Sequence, residues 1–124
     1  MNFTIKQILH ASFLVEDTTR SLAFYQDLLG LEVDLSRPEL GYPGAWLKIG
    51  DQQIHLIQLP SPDSKHRPKH GGHDRHVALE VDTIEELKQV IDAAGIAYSV
   101  SKSRSNVLFV RDPDGNALEF IGIR

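Results

Sequence analysis

No cysteine occurs among the 124 residues, which excludes disulfides, thiolate metal sites and cysteine nucleophiles. No apolar run approaches the length of a membrane span, and the first residues lack the apolar core of a secretion signal, so the expected location is cytoplasmic. Positive charge is in deficit, with 13 Lys and Arg against 17 Asp and Glu for a net charge of −4. That balance argues against a broad nucleic-acid or acidic-membrane surface and leaves a small molecule as the expected partner. One domain is expected at this length, with roughly two-thirds of the unfolded chain's surface buried. What the chain does have is six histidines.

The most informative stretch runs from Val107 to Ile121. Val107–Val110 and Asn116–Ile123 are β-rich apolar runs, and Asp112-Pro-Asp-Gly115 between them is a turn sequence, so the segment reads as a hairpin. In its second strand Leu118 and Phe120 alternate with Ala117, Glu119 and Ile121. A carboxylate at Glu119, on a strand expected to be central, needs a partner if it is buried.

Upstream, Ile5–Val15 alternates, with Leu9, Ala11, Phe13 and Val15 on one face and Ile8, His10, Ser12 and Leu14 on the other. Asp17 or Thr18 caps a helix to about Leu29, stopped by Gly30. Leu31–Leu35 is a short strand, and Ala45–Ile49 with Gln53–Leu59 forms a hairpin carrying His55. Pro60–Asp74 reads as a linker or lid. Arg75–Val81 is a strand, Thr83-Ile-Glu-Glu86 has capping-box spacing ahead of a helix to Ala94, Gly95 stops it, and Ile96–Ser101 is a strand.

The element order is therefore β-α-β-β-β twice, and the residues repeat with it. His10 and Val15 recur at His76 and Val81; Leu22, Gly30 and Leu31 recur at Leu87, Gly95 and Ile96; His55 recurs as Glu119. This is a duplicated module, about 5–59 and 75–123 around a linker at about 60–74, rather than a solenoid. Each module places one ligand-type residue in its first strand (His10, His76) and one in its last (His55, Glu119), opposite the most apolar alternation. A single strand histidine is more often an ordinary satisfied residue than a ligand. Four such residues at matched positions are harder to explain separately. The fold class expected is α+β, two curved mixed sheets with helices on the convex faces and the quartet lining a metal-binding cup. Three imidazoles and a carboxylate suit one divalent ion: zinc, nickel, iron, manganese or cobalt.

The segments His10-Ala-Ser-Phe-Leu-Val-Glu-Asp17, Phe24-Tyr25 and Leu29-Gly30-Leu31, with Arg75-His-Val-Ala-Leu-Glu-Val81 and Asp112-Pro-Asp-Gly-Asn-Ala-Leu-Glu119, resemble the two modules of the vicinal oxygen chelate superfamily. That group includes glyoxalase I, fosfomycin-resistance thiol transferases, methylmalonyl-CoA epimerase, bleomycin-binding proteins and extradiol dioxygenases. Ser99–Phe120 is also similar to glyoxalase-like proteins of cyanobacteria and plant plastids. The resemblance implies His10, His76 and Glu119 as metal ligands. It also implies a homodimer and a lyase or isomerase in which the metal stabilises an enediolate formed from a hemithioacetal, with glutathione as a possible co-substrate. Glu119 would move the proton. His55 departs from the pattern, since glyoxalase I usually carries Glu there; it is read as a fourth ligand or as an acid–base. An Fe(II) ring-cleaving dioxygenase and a small-molecule or antibiotic sequestration protein are the competing readings.

Cations near the ligand strands complete the expected site. Arg75, Arg111, Lys102 and Arg104 are candidates to hold an anionic substrate, with salt bridges to nearby Asp residues as the alternative for Arg75 and Arg111. Lys65-His-Arg-Pro-Lys-His-Gly-Gly-His73 reads as a solvated linker, or alternatively as a cationic lid. Trp46 and Phe109 read as packing residues.

Overall fold

The computed structural model describes residues 2–123. Two compact units divide between Ser61 and Pro62. The first contains β1 (His10–Leu14), α1 (Thr18–Leu22, running on as a π-helical segment Ala23–Leu28), β2 (Glu32–Val33), β3 (Gly44–Ile49) and β4 (Gln52–Ile57). The second contains β5 (His76–Val81), α2 (Ile84–Ala93), β6 (Tyr98–Val100), β7 (Val107–Arg111) and β8 (Ala117–Gly122). The sheets have the orders β1-β4-β3-β2 and β5-β8-β7-β6. In each, the first and last strands of the unit pair parallel and the other neighbours antiparallel. The fold is thus α+β with a repeated β-α-β-β-β unit. The repeat extends to register: Ser12 lies opposite His55 as Ala78 lies opposite Glu119.

Local chemistry explains most boundaries. Asp17 caps α1, its carboxylate accepting from the amides of Thr19 (2.9 Å) and Arg20 (3.3 Å). Thr83 occupies the same place before α2 with extended backbone, but its side chain makes no cap bond, so the expected capping box is not formed; Glu85 and Glu86 supply favourable first-turn charge instead. Gly30 and Gly95, at φ +75° and +70°, turn the chain out of the two helices. β1 starts at His10 rather than Ile5. Its partner β4 begins at Gln52, so residues before Leu9 have no strand to pair with, and Phe3, Ile5, Ile8 and Leu9 are exposed. β2 is likewise shorter than the alternation suggests.

The helices choose the faces. Fully buried Tyr25 stacks on Phe13, with ring centroids 6.4 Å apart, and meets Phe24 edge-on. The helical segment therefore covers the Ala11–Phe13–Val15 face of β1. In the second unit Ile84 packs on Gly122, where an added Cβ would lie 3.0 Å from the Ile84 Cβ. Gly122 shares its face with Leu118 and Phe120. His10, His55, His76 and Glu119 occupy the faces the helices leave.

The turn before β8 sets the register of Glu119. The buried Asp112 carboxylate accepts from the amides of Asp114 and Asn116 through Oδ1 and from Asn116 Nδ2 through Oδ2, each at 2.9 Å. Asp112→Ala would leave these donors without their acceptor. We expect a loss of about 1–3 kcal/mol, read as a lower urea midpoint with unchanged slope. A midpoint equal to wild type would show that the turn does not depend on this carboxylate.

Candidate metal centre

Parallel pairing brings each sequence-matched pair together within its own unit. In the second, His76 Nε2 lies 3.2 Å from Glu119 Oε1, and Glu119 is only 6% exposed. His76 Nδ1 donates to the backbone carbonyl of Asp74 at 2.9 Å. In the neutral ring, with the proton on Nδ1, the Nε2 lone pair faces an oxygen that also only accepts, an arrangement that a shared cation satisfies. Two atoms each bonded at about 2.1 Å to one ion are separated by about 3.0 Å at an octahedral angle and about 3.4 Å at a tetrahedral one. The observed spacing lies between. Arg104 Nη2 sits 3.3 Å from the other carboxylate oxygen. By donor type and spacing, this pair fits a divalent ion.

The first unit differs. The His10 and His55 rings stack, with centroids 3.8 Å apart and planes 13° from parallel. Trp46 stacks on His55 as well, at 4.5 Å and 8°. β4 lies between β1 and β3, so the three rings form a pile across adjacent strands with His55 in the middle. His55 Nε2 is 2.7 Å from Gln53 Oε1. Burial, and then the charges of His10 and Arg37, hold the His55 imidazole below its ordinary pKa against a smaller opposing pull from Asp34. Among the described residues no group of three or more His, Asp or Glu is close enough to hold a metal; the ligand-type residues occur as these two pairs.

The expected substrate cations divide. Arg111 spends its guanidinium on Asp74 (2.8 Å), the Gly115 carbonyl (2.7 Å) and the Pro68 carbonyl. Arg75 is exposed and bridges to Asp63 at 2.6 Å. Arg104 reaches Glu119, and Lys102 is exposed on the same loop. The expected linker is tied to the second unit. Arg67 binds Asp74 at 2.8 Å, and His70 Nδ1 pairs with Ser99 Oγ at 2.7 Å and meets Phe109 edge-on.

Sequence reasoning assigned no part in the site to Gln53, Asp74 or Asp34, and read Trp46 and Phe109 as packing alone. Gln53 and Asp74 each lie two residues before a histidine, Gln53 on the strand face of His55 and Asp74 in the bend ahead of β5, and that spacing was a usable signal. Trp46 and Phe109 occupy equivalent places, directly opposite His55 and Glu119, which the repeat alone would have paired. Asp34 had no local signal; it arrives through pairing with β3.

A sequence model described as the Glyoxalase/Bleomycin resistance protein/Dioxygenase superfamily matches residues 7–120. A lactoylglutathione lyase of Haemophilus influenzae is 34% identical over 123 residues, covering 93% of this chain and 91% of that protein. The structure of the trypanothione-dependent glyoxalase I of Leishmania major superposes with a TM-score of 0.71 at 25% identity, over 95% of this chain and 87% of that one. The Listeria monocytogenes fosfomycin resistance protein FosX shares the fold alone, with a TM-score of 0.75 at 18% identity over 95% and 91% of the two chains.

Asp74 links the salt-bridge network to His76. Burial pushes its carboxyl pKa up, but the Arg111 hydrogen bond, the Arg75 amide and the charges of Arg67 and Arg111 outweigh this and hold it below 3.8. A depressed carboxylate contributes stability above its unfolded pKa and loses it as the pH falls through the folded value. We expect wild-type melting temperature to drop as pH falls below 3.8, and Asp74→Asn to flatten that acid limb. Superimposable limbs would count against the network.

Proposed function

The chain belongs to the glyoxalase/bleomycin resistance protein/dioxygenase superfamily, and on that premise we propose that it is a metal-dependent lyase or isomerase of the glyoxalase I type. Its substrate would be a small hemithioacetal-like molecule with vicinal oxygens. The observation that carries the metal reading is the buried His76–Glu119 pair, with His76 held through its other nitrogen by the Asp74 carbonyl. We assign His10, His76 and Glu119 as the protein ligands. A bound divalent ion supplies Lewis-acid polarisation of the two adjacent oxygens.

The chain's own groups supply the rest. The buried Glu119 carboxylate is the proton-moving group, and the Arg104 guanidinium at 3.3 Å orients it. Lys102, exposed on the same loop as Arg104, is the cation for an anionic thiol moiety, because Arg75, Arg111 and Arg104 already serve Asp63, Asp74 and Glu119. The identity of the relatives supports a thiol adduct and leaves two thiol types in play, glutathione in one relative and trypanothione in another. No helix among the described residues is long and apolar enough to cross a membrane. A homodimer is part of the same reading, supported by edge strand β1 and the exposed Phe3, Ile5, Ile8 and Leu9 ahead of it.

Apoprotein loaded separately with zinc, nickel, manganese, cobalt or iron should isomerise the methylglyoxal–glutathione adduct with at least one metal. Glu119→Gln should lower turnover by roughly 10²–10⁴-fold. Catechol cleavage by the iron-loaded protein, with no isomerisation by any metal, would replace this reading with the dioxygenase one. Light scattering at micromolar concentration should return about twice 13.9 kDa, and a monomer would remove the dimer from the proposal.

A further inference from the structure

The two histidine-bearing pairs are built on one backbone plan but offer different ring nitrogens. In the second unit the backbone holds Nδ1 of His76 and frees Nε2. In the first a side-chain relay does the reverse. The Asp34 carboxylate accepts from the Ser36 hydroxyl (2.7 Å), the Ser36 amide (2.9 Å) and Gln53 Nε2 (2.8 Å). These bonds, the Ser36 hydroxyl foremost, hold Asp34 below the ordinary carboxyl pKa, so it stays an acceptor. An acceptor at that position obliges Gln53 to present its NH₂ there and its oxygen to His55. The oxygen in turn only accepts, so the hydrogen of the 2.7 Å contact belongs to His55 Nε2.

The stack imposes a second restriction. Imidazole lone pairs lie in the ring plane, and a metal bond to nitrogen is about 2.0–2.1 Å long. Between two rings 3.8 Å apart and nearly parallel, an ion bonded to both would sit well out of both planes. Trp46 on the opposite face of His55 blocks the tilt that would relieve this.

We propose that Gln53 and Asp34 are positioning residues that fix His55 as the Nε2–H tautomer inside the His10–His55–Trp46 stack. The stack, in turn, keeps the remaining Nδ1 lone pair of His55 from sharing an ion bonded in the plane of His10, so His55 stays out of the coordination shell and buttresses the plane of the ligand His10. The part concerning coordination rests on the metal reading above; the tautomer does not. The repeat alone pairs His55 with the ligand Glu119, but the hydrogen bonds and the stack assign it a supporting role.

The test is long-range ¹H–¹⁵N NMR of the full-length ¹⁵N-labelled protein, at a pH well above the ordinary imidazole value of about 6.5. In the metal-free protein, His55 should show a protonated Nε2 and an unprotonated Nδ1. Gln53→Leu should abolish that preference, Asp34→Ala should weaken it, and Gln53→Glu, which still accepts, should preserve it. A protonated Nδ1 in wild type, or no change in Gln53→Leu, overturns the lock. Zinc is then added. Ring nitrogens of His10 and His76 should move to metal-bound shifts while both His55 nitrogens stay in place, and zinc affinity by calorimetry should agree between wild type and His55→Phe to within about threefold. A His55 nitrogen at a metal-bound shift, or a tenfold loss in His55→Phe, overturns the exclusion. Absence of zinc binding in wild type would refute the metal reading and the coordination half with it, and the metal-free spectra would still decide the tautomer.

Discussion

A carboxylate buried on a central strand is the constraint on which the second unit depends. Desolvating Glu119 costs several kcal/mol unless positive charge and hydrogen-bond donors meet it. Two parts of the unit meet it: Arg104, from the loop before β7, brings a charge and a donor, and His76, on the parallel neighbour β5, brings a second ligand-type atom with which the carboxylate can share a cation. Each is fixed in turn. The Asp112-centred turn sets where Glu119 falls along β8, and Asp74 holds the imidazole of His76 through its carbonyl while its carboxylate gathers Arg67 and Arg111. The histidine-rich segment packs by His70 on Phe109 and Ser99, which share the sheet row of Glu119.

The first unit repeats the backbone solution and changes the chemistry on it. Ser12, His55 and Trp46 form the row that Ala78, Glu119 and Phe109 form in the second. Replacing a carboxylate by an imidazole at the central position removes the need for a counter-charge and introduces a flat ring. That ring finds flat neighbours, His10 on one side and Trp46 on the other, and a neutral acceptor in Gln53. Duplication preserved register, since register is set by strand pairing and turn lengths. It did not preserve the role of the residue displayed, because that is set by side-chain neighbours.

Much of this was legible in the sequence. Period-two alternation separated the helix-covered face from the polar one in β1, β4, β5 and β8, and the matched offsets exposed the repeat. Glycine stops, the Asp17 cap and the Asp112-Pro-Asp-Gly115 turn marked boundaries through local chemistry. Where the reading overshot, as at Ile5–Leu9 and around β2, the alternation was real but no partner strand reached those residues.

By itself the sequence determined the α+β class, the duplication, the family and the four ligand-type residues, because each follows from periodicity or from residues at fixed spacing. Only the tertiary structure decided how those four are held. Stacking of His10 on His55, the Asp34–Gln53–His55 relay and the engagement of Arg111 by Asp74 join residues far apart in the chain or on different strands. Pairing register and side-chain rotamers bring such groups together, and neither is written in local spacing.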